Sequence, residues 1–82
     1  MPSTPDSAAF NYAERIRERL PRTLQEEREA AGMSPYALEK KCGVSRDMIG
    51  DIESGDSIPT LYFGARMVHG LGLKLWEFVR KL

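Results

Sequence analysis

One histidine, His69, and one cysteine, Cys42, are the only imidazole and the only thiol in this 82-residue chain. Neither has a companion at metal-ligand spacing, so no metal site is expected. Ser45, His69 and Asp51 could be assembled on paper into a nucleophile, base and orienting acid. Serines and aspartates are common, however, and a paper triad carries no geometry. No glycine-rich phosphate loop is present. The expectation is a protein that is not an enzyme and takes no cofactor. A lone cysteine excludes an internal disulfide. Cys42, at the end of a helical stretch, reads as a small buried hydrophobe, with a reactive thiol as the lesser alternative. His69 reads as a surface or half-buried helix residue.

The remaining informative residues lie between Ser34 and Gly55, in the stretch SPYALEKKCGVSRDMIGDIESG. Ser34 is an N-cap type, and Pro35 follows at the first helical position, where its missing N–H costs nothing. Ala37, Leu38 and Cys42 form one apolar face. Gly43 can take the positive φ that ends a helix. Ser45 is a second N-cap, and Ile49 and Ile52 share a face of the helix it opens. Ser54-Gly55 closes that helix. Two short helices joined by a glycine-bearing turn make a helix-turn-helix pattern.

Gly32, Ser34, Ala37-Leu38, Gly43-Val44-Ser45, Ile49, Ile52-Glu53, Gly55, Pro59 and Leu71-Gly72 fall in a familiar order and spacing. They resemble the Cro and lambda-repressor-like helix-turn-helix domains, the XRE family, over roughly Leu20 to Val79. The resemblance implies an all-α, five-helix domain that binds double-stranded DNA as a transcription regulator. It places Arg46, Asp47 and Asp51 at the base-facing positions of the second helix, whose N-terminal residues enter the major groove. Arg46 could then pair with guanine O6 and N7, and the two aspartates could accept from cytosine N4. Ser34 and Ser45, at helix N-termini, would meet phosphates, with Lys40 and Lys41 close enough in sequence to assist. Arg28 matches a family arginine that pairs with the glutamate ending the recognition helix, here Glu53. A homodimer on a palindromic operator, with half-sites about one helical turn apart, is the expected assembly.

The chain also departs from the family pattern. Pro35 stands where the family has a glutamine used for a phosphate contact, and Asp56 and Ser57 stand where lysine or arginine is frequent. Overall charge is zero, from twelve basic and twelve acidic residues. Residues 33–58 carry net −2, whereas residues 59–82 carry net +3. A DNA-facing segment is usually basic. The competing expectation is therefore a protein-interaction module on the same fold, antitoxin-like or polymerase-binding, whose acidic helix meets a basic protein such as a toxin.

Outside this stretch, Met1 to Pro5 reads as a polar, proline-bearing tail without fixed structure. An extra N-terminal helix is expected near 7–19, with Tyr12, Ile16 and Leu20 along one stripe. Pro21 should break or kink the chain there. The expected division is thus 1–20 for tail and extra helix and 21–82 for the helix-turn-helix domain. Its helices are expected near 21–31, 34–42, 45–53, 60–71 and 74–81. The expected core is Leu24, Ala37, Leu38, Val44, Ile49, Ile52, Leu61, Ala65, Val68, Leu71 and Phe78. Gly64 stands where the family has a large apolar residue, and the extra helix is a candidate to fill the space.

Trp76 falls at the edge of the final apolar stripe of Leu75, Phe78, Val79 and Leu82. A large aromatic there suits a dimer interface, and packing on Phe10 or Tyr12 within the monomer is the alternative. No run is long or apolar enough to span a bilayer, and the start lacks a signal-peptide pattern. The sequence-level expectation is a soluble, cytoplasmic protein without membrane partners.

Overall fold

The computed structural model describes residues 7–82, and the reading of Met1 to Pro5 lies outside them. Five helices follow one another: α1 (Ser7–Ala30), α2 (Pro35–Cys42), α3 (Arg46–Ser54), α4 (Leu61–Gly70) and α5 (Leu75–Val79). There is no strand among the described residues.

The caps explain most of the boundaries. Ser34 Oγ accepts the Ala37 N–H at 3.1 Å and Ser45 Oγ accepts the Met48 N–H at 3.2 Å, each satisfying a donor that a helix start leaves free. Thr60 does the same for Phe63 at 3.1 Å. Gly43 closes α2 at φ 74°, in the left-handed region that a side chain would strain. At α5, Glu77 Oε1 accepts the Lys74 N–H at 2.7 Å. That helix ends at Val79, earlier than its apolar stripe suggests, and the last residues continue as turns.

The first helix differs from its sequence reading. Pro21 lies inside α1, which runs from the extra N-terminal turns into the domain without a break. Proline removes one backbone hydrogen bond, yet Leu20 and Pro21 are half-buried and Leu24 and Arg28, one and two turns on, are buried. Packing on the domain side holds the helical path, and tertiary contacts commonly override a local propensity of this size.

Leu24, Leu38, Val44, Ile49, Ile52, Met67, Val68, Leu71 and Phe78 form the core with Cys42. α1 packs on α3, α2 on α3 and α4, and α4 on α5. Ala37 and Ala65 are only half-buried, and Met67 takes a core place that the spacing did not single out. Leu61 is 75% exposed rather than buried. It shares a helix face with Val68 but lies two turns earlier, where α4 borders an open cleft. Ile16 and Leu20 line that cleft beside Gly64 without filling it, and a Cβ at Gly64 would meet nothing within 4 Å. Phe10 and Trp76 are both exposed, so neither fills the space.

Gly70 has the opposite environment. A Cβ there would lie 3.0 Å from Cys42 Cβ and 3.1 Å from Leu38 Cδ1. The residue is buried, and its lack of a side chain lets α4 approach α2 closely.

Candidate nucleic-acid interface

The helix pair α2–α3 is held in place by one buried ion pair. Arg28 reaches from α1 and donates through Nε and Nη2 to the Glu53 carboxylate at 2.8 and 2.9 Å. Its Nη1 donates to the Met33 carbonyl at 2.7 Å. The planar guanidinium thus ties the end of α3 and the turn before α2 to a single point on α1. The hydrogen bonds Arg28 donates to Glu53 push its pKa above its ordinary value, against the opposing effect of burial.

With the frame fixed, the N-terminus of α3 stands beside the outer face of α2. Arg46 lies there, mostly exposed, with Nε 3.6 Å from Glu39 Oε1. Its backbone N–H donates to the same oxygen at 3.3 Å. The Arg46 guanidinium carbon is 4.8 Å from the centre of the Tyr36 ring, and Lys40 Nζ is 5.1 Å from it. Both cations therefore lie over the Tyr36 ring, each within cation–π distance. The result is a small basic cluster at the opening turn of α3.

Asp47 and Asp51 are exposed on α3. The Asp51 carbonyl accepts from the Asp56 and Ser57 N–H groups at 2.8 and 3.1 Å, which folds the loop back on the helix end. The hydroxyls of Ser34 and Ser45 accept from their own helices but each keeps an O–H to donate.

Not every sequence candidate joins this cluster. Lys41 turns away from Tyr36 and lines a hollow with Cys42, Tyr62, Arg66 and His69 on the α4 side. Trp76 is on α5, exposed, with Arg80 Cζ 5.8 Å from its ring centre. Two participants, Tyr36 and Glu39, escaped the sequence reading. Tyr36 and Lys40 are four apart on one helix, a spacing that brings side chains together, and Glu39 faces Arg46 across the turn. Arg66 is a third. Its Nε donates to the Cys42 carbonyl at 3.1 Å and so closes the C-terminus of α2. No local spacing signals that contact.

The arrangement can present a fork of N–H donors to a base edge and a point charge to a phosphate, with two aspartates beside them. Among the described residues no group of His, Cys, Asp or Glu could hold a metal ion, and no helix is long and apolar enough to cross a membrane. A family model described as helix-turn-helix matches residues 24–75. No curated protein and no solved structure matched the chain.

Proposed function

The chain belongs to the helix-turn-helix family of the XRE type, related to the lambda repressor and Cro, and from that premise we propose that it is a sequence-specific, cytoplasmic transcription regulator acting as a homodimer on a palindromic operator. Its family supports DNA binding, and its all-helical fold suits the groove-reading role. The observation that carries the finer reading is the placement of Arg46. It opens α3, is exposed, and is steadied by Tyr36 and Glu39 at the end of the helix that enters a major groove. Arg46 reads guanine, and Asp47 and Asp51 select against bases that offer no donor. Lys40 meets a phosphate beside α2, together with the hydroxyls and free N–H groups at Ser34 and Ser45, while Lys41, on the α4 side, stays out of the contact.

The basic supply is thin, and that fixes a quantity. If Lys40 and Arg46 of each protomer displace counterions, a dimer neutralises about four charges and log K should fall with log salt at a slope of about −4. Fluorescence anisotropy on DNA from upstream of the chain's own gene, at several salt concentrations, tests this. A specific complex with that slope supports the reading, and equal weak binding to any duplex contradicts it.

The second reading rests on the exposed Asp47, Asp51 and Asp56, which leave residues 33–58 with net −2. Such a face suits a basic protein partner, such as a toxin or a polymerase subunit. Binding to a basic protein that DNA cannot displace would favour it. Trp76, exposed on α5, is the proposed contact at the protomer interface.

A further inference from the structure

The first turns of α1 carry an apolar stripe into solvent. Residues 7–13 are all exposed. Ala9, Ala13, Ile16 and Leu20 recur at alternating steps of four and three, the spacing of a helix–helix seam. Phe10 and Tyr12 flank the seam and are 58% and 70% exposed. Where the seam meets the domain it opens into an apolar cleft of about 220 Å³ lined by Ile16, Leu20, Leu61, Gly64, Leu75 and Val79. A cavity of about 150 Å³ accepts a benzene ring, so the cleft has room for one aromatic side chain. Neither α2 nor α3 contributes to its wall.

We propose that the cleft receives the aromatic end of α1 from a second copy of this chain, with the two arms antiparallel across a two-fold axis. The inference rests on the homodimer reading above and adds a surface to it. Reach sets the direction. Phe10 and Tyr12 lie about ten residues before Leu20, so one copy's rings come level with the other's cleft only if the arms overlap antiparallel about residues 15–16.

Charge favours the same direction. In that register Tyr12 comes level with Arg19 of the second copy, a cation beside an aromatic ring, while Glu14 and Arg17 stay paired within each arm at 3.4 Å. Parallel arms would set each charge against its own like. Area is also sufficient. Phe10, Tyr12, Leu61 and Val79 are all exposed, and at about 100 Å² each they offer on the order of 400 Å² of apolar surface per copy. A polar rim brings this toward the roughly 800 Å² per partner of a standard interface. Both recognition helices stay uncovered.

Sedimentation equilibrium of the full chain tests the inference, with circular dichroism to verify folding. The parent should be a dimer. Tyr12→Glu and Leu61→Glu change exposed positions on the inserting and receiving sides, and each should raise the dimer dissociation constant at least tenfold with helicity unchanged. Phe10→Glu should behave like Tyr12→Glu. A parent that stays dimeric in all three variants overturns the arm–cleft pairing while leaving the homodimer and DNA readings in place; dissociation by Trp76→Glu alone would assign the contact to α5. A parent that is monomeric at high concentration overturns the pairing and the homodimer together, and leaves DNA binding by the monomer to be judged on its own titration.

Discussion

Arg46 and Tyr36 face each other across the turn of the helix pair, the guanidinium carbon 4.8 Å from the ring centre. The ring belongs to α2 and the arginine to α3, so the contact links the helix proposed to cross the DNA backbone to the one proposed to read bases. Exposed pairs of this kind contribute about 0.5–1 kcal/mol. Tyr36→Ala should therefore lower discrimination at the base pair read by Arg46 by roughly two- to fivefold, with little change in thermal midpoint. Tyr36→Phe keeps the aromatic face and should restore the parent's preference. Competition titrations against single-base-pair operator variants measure both, and an alanine variant with full discrimination would remove Tyr36 from the site.

The Arg28–Glu53 fork is the frame on which that contact depends. Arg28→Met should leave a buried carboxylate without its cation and the Met33 carbonyl without its donor. The expected loss is about 3–5 kcal/mol by urea unfolding. Because the arginine's pKa is raised, its contribution to stability is complete through neutral and mildly alkaline pH. It would be lost only as pH climbed through that raised value. A loss no larger than that of an ordinary surface change would show the fork to be dispensable.

Two helical glycines should respond oppositely to the same substitution. Gly64→Ala adds a methyl facing open space and removes a helix-weakening glycine, so it should stabilise by up to about 1 kcal/mol. Gly70→Ala forces a methyl against Cys42 and Leu38 and should destabilise by about 1–3 kcal/mol. Thermal unfolding of both variants checks the pair, and a stabilised Gly70→Ala would contradict the close approach of α2 and α4.

Asp47 and Asp51 place exposed negative charge on α3, the helix proposed to enter the groove. Asp47→Asn or Asp51→Asn should raise affinity for non-operator duplex several-fold, most visibly at low salt. Unchanged non-specific affinity would put both carboxylates outside the DNA-facing field.

The helix-turn-helix was readable because its determinants are local. Ser34, Pro35, Gly43 and Ser45 state their caps in sequence, and Leu38 with Cys42 on α2 and Ile49 with Ile52 on α3 follow helical spacing. Pro21 misled because its local cost is real, but the packing of Leu24 and Arg28 that outweighs it is tertiary. Leu61 has a core residue's spacing and is exposed, since periodicity defines a face and not what covers it. In the candidate site Arg46 was legible from its position, whereas Tyr36 and Glu39 were not. Their importance comes from the angle at which α2 meets α3, which no spacing within either helix encodes.

The most direct measurement of the central claim is operator preference in Arg46→Ala, taken as the ratio of affinities for the operator and a scrambled duplex at fixed salt. If Arg46 reads the major groove, that ratio should fall by about tenfold or more, the 1–3 kcal/mol of a lost bidentate base contact, while the variant unfolds at the parent's temperature. An Arg46→Ala protein that stays folded and keeps the parent's ratio would contradict groove reading by α3.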